Sequence, residues 1–141
     1  MERKHTGIIR RIDDLGRIAI PKNIRSELRL REGTPLEFVI EGNDLILQPY
    51  YSQEICKYKK LLSAASTIID VDMCFCDSQH YEIESCVQHI LNADNSFGIY
   101  DKESVLIAWI YCKKKTPVEI QTLQIKAIVK LIEGLMAEES M

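Results

Sequence analysis

The chain has 141 residues, 46% of them hydrophobic and 28% charged, with a formal net charge of −3. This is the composition of a soluble globular protein, one domain or two small ones. No run of 18 apolar residues occurs, so no transmembrane helix is expected, and Met1-Glu2-Arg3-Lys4-His5 lacks an apolar signal region, which points to the cytoplasm. The charge is unevenly placed. Residues 1–31 hold all seven arginines, and with two lysines against four acidic residues they sum to about +5, leaving about −8 for the rest. Arginine offers a planar, permanently charged fork that suits phosphates and guanine edges. An anionic partner is expected at that end.

Residues 7–12 (GIIRRI) read as a strand, short and β-branched. Its period of two puts Ile8, Arg10 and Ile12 on one face, and Ile9 and Arg11 on the other. Asp13-Asp14-Leu15-Gly16 is the turn, and residues 17–20 (RIAI) make a second strand that Pro21 stops. Residues 22–30 then fit a short helix. On it Lys22, Arg25 and Arg29 share one face, while Ile24 and Leu28 form an adjacent apolar face that must dock on something. Leu36–Ile40 and Leu45–Leu47 are strands around the Gly42-Asn43 hairpin signal. A β-β-α-β-β unit of this size buries little surface and leaves open strand edges. A dimer that completes the sheets is expected.

Residues 50–55 are a junction. Ile55, Tyr58, Leu62, Ala65 and Ile69 follow a helical, heptad-like spacing. Residues 68–76 (IIDVDMCFC) read as a strand, 81–93 as a helix, and 96–100 and 105–112 as a hairpin around Asp101–Ser104. Thr116, Pro117 and Glu119 fit N-cap, N1 and N3 of a last helix to about Ala137. Its seam is Ile125, Ile128, Ile132 and Leu135. Ile120, Leu123 and Leu131 widen its apolar surface enough for both the sheet and a partner helix. The second unit, 53–141, is thus α-β-α-β-β-α, acidic where the first is basic.

The search for chemistry in the residues yields no catalytic site. No phosphate loop, nucleophile elbow or zinc-protease helix occurs, so no enzyme is expected. Asp70 and Asp72 share a strand face that solvation explains. The five cysteines (Cys56, Cys74, Cys76, Cys86, Cys112) are irregularly spaced and read as reduced core thiols. Cys74-x-Cys76 is not the spacing of a zinc knuckle; Cys86 and His89 fall at i, i+3 of a helix with His80 nearby, which leaves a Cys/His site conceivable, with core thiols and surface histidines the preferred reading. No metal and no cofactor are assigned. Nucleic-acid binding leads on chemistry, without any helix-turn-helix, zinc-finger or basic-zipper pattern.

The run from Thr6 to Arg25, TGIIRRIDDLGRIAIPKNIR, followed by LRLREG, resembles the N-terminal domain of AbrB-type transition-state and sporulation regulators over residues 5–50. The resemblance implies a mixed α/β protein. Residues 1–52 would be an intertwined swapped-hairpin DNA-binding barrel dimer, and residues 53–141 a linker helix with a shortened, GAF-like α+β assembly or regulatory module. It further implies a homo-oligomeric regulator, dimer or tetramer, that binds double-stranded DNA in the nucleoid, with an unidentified effector. By position, Arg10, Arg11, Arg17 and Arg25 would contact DNA. The family often has a second arginine after Arg25, where this chain has Ser26. Lys22 and Arg29, on the same helix face, are added as candidate contacts. The alternatives are a DNA-binding antitoxin, which shares this domain, and a ligand-sensing module without DNA binding.

Overall fold

The computed structural model describes residues 2–85 and 87–140, apart from the side chains of Tyr51 and Ser52. The protein is mixed α/β, and the single chain divides into two compact units, Met1–Arg31 and Glu32–Met141.

The first unit holds one regular element, α1 (Lys22–Glu27). Pro21 stands before it as the N-cap rather than within its first turn. The helix is shorter than the predicted 22–30 because it closes in a Schellman-type end. The N–H of Leu30 donates to Arg25 O (2.7 Å) and that of Arg29 to Ser26 O (3.3 Å), with Arg29 left-handed at φ 56°. Arg29 therefore lies outside the helix and does not share the face of Lys22 and Arg25. No α1 residue is fully buried; of the predicted apolar face, Ile24 is partly buried and Leu28 is half exposed. Residues 7–12 and 17–20 are not strands. They have no ladder partner here, and Ile9, Ile12, Leu15 and Ile18 stay exposed.

In the second unit, β1 (Leu36–Glu41) and β2 (Asp44–Pro49) form an antiparallel hairpin with Glu41 opposite Asp44. Gly42 has φ 62°, the positive value a type II′ turn asks of its first central residue. Phe38, Ile40 and Leu45, which lie on one face, are 70%, 80% and 63% exposed. The hairpin leads into α2 (Tyr50–Cys56) and α3 (Lys59–Ile69). The predicted stripe of Ile55, Tyr58, Leu62, Ala65 and Ile69 is buried throughout, so it serves the core of this unit.

A three-stranded antiparallel sheet follows, in the order β3 (Met73–Cys76), β5 (Leu106–Cys112), β4 (Ser96–Tyr100). Strand β3 begins at Met73 rather than 68, because α3 continues to Ile69 and Asp70 caps it in the left-handed region. The last helix, α4 (Glu119–Glu139), starts later than predicted, with Val118 at the N-cap. Gln121 decides this start. Its Oε1 accepts from Val118 N–H (3.0 Å), and its Nε2 donates to Ile69 O at the end of α3 (3.0 Å). Ile125, Val129, Ile132 and Met136 are the buried stripe of α4, with Ile128 and Leu135 at its margin. Met73, Phe75, Phe97, Ile99 and Ile110 meet this stripe and α3 to form the core. Ile120, Leu123 and Leu131 remain exposed on α4.

The predicted helix over 81–93 is absent. Residues 77–95 contain no helix or named strand among the described residues. Buried Asp77 sets their course, since its Oδ1 accepts from the N–H groups of Gln79 (2.8 Å) and Tyr81 (3.1 Å). Left-handed His80 (φ 68°) and Glu84 (φ 69°) then interrupt any helical path. The segment adds backbone bonds to the sheet edge instead, with Ile83 N–H donating to Phe75 O (2.9 Å). The predicted i, i+3 pairing of Cys86 with His89 falls on Cys86, which lies outside the described residues.

Candidate nucleic-acid interface

Five of the six candidate DNA contacts lie along three local structures of the first unit. Arg10 and Arg11 are on the extended arm, Arg17 closes the turn, and Lys22 and Arg25 share the α1 face; all are exposed. Arg29 stands apart beyond the helix end.

The turn is the best-organised part. Asp13 accepts at Oδ1 from the N–H of Leu15 (2.9 Å) and of Arg17 (2.8 Å), and at Oδ2 from Arg17 Nε (2.8 Å). Its own N–H donates to Arg17 O (2.9 Å). Gly16 follows with φ 76° and open space where a Cβ would stand, so conformation rather than room calls for glycine. The Arg17 backbone N–H bond, then the guanidinium bond, hold the Asp13 carboxyl below its ordinary range. A short acidic side chain thus fixes both the turn and the base of an arginine whose fork extends beyond it. On α1, Arg25 Nε donates to Ile20 O (3.1 Å), which directs that side chain back along the helix start. Arg10 Nη1 bonds the neighbouring Ile9 O (3.0 Å).

Metal-binding capacity lies elsewhere. Cys74 and Cys76 of β3 meet His89 of the 77–95 segment, with their donor atoms all within 4.8 Å of one another. The sequence alone left a Cys/His site as the lesser reading, because Cys74-x-Cys76 is not a zinc-knuckle spacing and the predicted helix over 81–93 gave no sign that His89 meets β3. The available signal was the i, i+2 spacing of two cysteines on one strand face. Among the described residues, no helix is long and apolar enough to cross a membrane.

The sequence of this region matches a known class of domain. Residues 9–54 match the family model described as antidote-toxin recognition MazE, bacterial antitoxin. That stretch is similar to the matching region of transition-state regulators. The chain is similar to stage V sporulation protein T of Bacillus subtilis, 62% identical over 48 residues, which are 33% of this chain and 27% of that protein. It is also similar to two other proteins of that organism. Transition state regulatory protein AbrB is 37% identical over 54 residues (38% of this chain, 56% of that one), and putative transition state regulator Abh is 34% identical over 53 (38% and 58%). The matched segment thus spans about a quarter of the first relative and less than three-fifths of the other two.

Proposed function

We propose that the protein is a homo-oligomeric transcription regulator that binds double-stranded DNA sequence-specifically through paired copies of residues 1–52. Residues 53–141 act as its assembly and regulatory module, a compact α+β unit of GAF-like kind. One observation carries the proposal: the matched domain is unfinished in a single chain. Its two arginine-bearing segments lack the ladder that their β-branched residues call for, and the hairpin leaves Phe38, Ile40 and Leu45 open to water. An intertwined swapped-hairpin dimer supplies both missing partners and doubles the set of Arg10, Arg11, Arg17, Lys22, Arg25 and Arg29. Phosphate neutralisation then provides affinity, and base-edge contacts with DNA deformability provide choice of site. Ser26 lowers the charge of the helix face and changes the operator preference.

Selection of genomic fragments by the full chain, followed by anisotropy titration at fixed salt, tests the proposal. Arg17→Ala and Arg25→Ala should each weaken binding while the oligomer persists. Equal affinity for selected and scrambled duplexes refutes sequence-specific binding. The antitoxin reading has one observation in its favour, the description of the family model. Against it, residues 53–140 bury a continuous core rather than offering a loose wrapping tail. Co-purification with a small toxin would reverse the preference. For regulation, the concavity of about 410 Å³ between β4 and α4, bordered by Phe97, Lys126 and Glu133, is the place to seek an effector.

A further inference from the structure

Connections longer than about 12–15 residues without their own secondary structure are uncommon in compact domains and are usually functional. The segment 77–95 is such a connection, and it lies against the sheet face opposite α3 and α4. Met73 and Phe75 of β3 point into the core, so the strand's period of two turns Cys74 and Cys76 to the other side. There Cys74 pairs with Tyr111 and Cys76 with Trp109 across β3–β5. His89 stacks on Tyr111 with ring centroids 4.3 Å apart, and His80 meets Trp109 edge-on at 6.3 Å. Both thiols are buried, 7% and 0% exposed.

The donor atoms converge. Cys74 Sγ is 3.9 Å from Cys76 Sγ and 4.0 Å from His89 Nε2. A tetrahedral zinc ion, with sulfur at about 2.3 Å and nitrogen at about 2.0–2.1 Å, sets S–S and S–N edges of roughly 3.8 and 3.5 Å. Those two edges are already within about half an ångström of such a site, and small side-chain rotations close the third. Two thiolates and an imidazole are a soft donor set that suits zinc. The surroundings match the charge. Lys113 Nζ donates to Glu82 Oε1 at 2.9 Å, and Glu82 Oε2 is 3.2 Å from His89 Nε2, a contact that Nε2 gives up when it ligates the ion, leaving the carboxylate beside the fourth position.

We propose that Cys74, Cys76 and His89 bind a zinc-class divalent ion, with the fourth position on the Glu82 side, and that this ion clips the 77–95 segment to the sheet. On binding, the two thiols release their protons to solvent, and His89 ligates through Nε2 with its proton on Nδ1. The site is independent of DNA binding and stands or falls without it.

The test uses the full chain, reduced and freed of metal by a chelator, titrated with Co²⁺ and then with Zn²⁺. The expected result is a thiolate-to-cobalt charge-transfer band with the visible bands of a tetrahedral ion, saturating at one cobalt per chain and erased by zinc. Cys74→Ser and Cys76→Ser should abolish the charge-transfer band or its full intensity. His89→Gln, on the more exposed side of the site, should stay folded by circular dichroism and weaken metal binding by at least about tenfold. Cys56→Ser, outside the donor set, should leave the spectrum unchanged. Zinc should also slow amide exchange over 77–95 in the parent chain and not in His89→Gln. No cobalt band in the reduced parent, a band indifferent to His89→Gln, or a band lost in Cys56→Ser would overturn the proposal.

Discussion

Replacing Ile40 with alanine separates a dimer interface from a merely exposed surface. Ile40 is 80% exposed on β1, opposite Leu45 and beside Phe38, and it is not part of the buried core. If a second chain covers it, the substitution removes three carbons from that contact. At about 0.8 kcal/mol per buried carbon, scaled by the 80% exposure that dimerisation would remove, this is roughly 2 kcal/mol per copy. A symmetric dimer loses it twice, roughly 4 kcal/mol, so the dissociation constant should rise by nearly a thousandfold. Sedimentation velocity over a dilution series measures that shift directly. Far-ultraviolet circular dichroism checks that the second unit stays folded. A dissociation constant changed by less than a few-fold, with the parent protein dimeric, would refute the assignment of the hairpin face to the interface.

Salt dependence tests the arginines. In a dimer, Arg25→Ala removes two cations, so the slope of log affinity against log salt should fall by roughly 2, with little change in relative preference if Arg25 meets only phosphates. An unchanged slope would remove Arg25 from the phosphate-contacting set. Within α4, Ile132→Ala should cost about 2–5 kcal/mol in denaturant unfolding, because Ile132 is fully buried, whereas the exposed Leu123 should cost far less in dilute monomer. Equal losses would mean that α4 faces the sheet differently. Burial, and then the Glu84 carboxylate that accepts from its thiol, push Cys56 from an ordinary 9.0 up to about 11. Its folded pKa is the higher one, so this contribution to stability is complete below pH 9 and disappears as pH rises through about 11. Alkylation followed by mass spectrometry should accordingly find Cys56 slow to label up to pH 9. Rapid labelling at pH 8 without unfolding would contradict it.

Much of the framework was readable in order along the chain, because its signals are local. A glycine at Gly42 between two β-branched runs marks a hairpin wherever it occurs, and the observed pairing of Glu41 with Asp44 follows. The Asp13–Gly16 turn was legible for the same reason, since its bonds join residues at most four positions apart. The α3 stripe from Tyr58 to Ile69 was legible from its period. Element ends were less so. The start of α4 depends on Gln121 reaching Ile69, fifty-two positions away, and no capping rule contains that contact. The end of α1 rests on an arginine in the left-handed region, where sequence preference would place glycine.

By itself, then, the sequence determined where the positive charge lies, and that Arg17 sits on a turn and Arg25 on a short helix. These are properties of neighbours along the chain. It did not determine that residues 7–12 and 17–20 form no strand in a single chain or that Arg29 falls beyond the helix end. Tertiary structure alone decided that 77–95 runs as a loop and that His89 meets Cys74 and Cys76. That meeting requires β3 to pair with β5 and His89 to stack on Tyr111, both across long separations. An apolar period over 81–93 marks which residues seek cover. The pinned loop partly covers Ile83 and leaves Val87 and Ile90 exposed, a course set by the buried Asp77 and the sheet edge beside it.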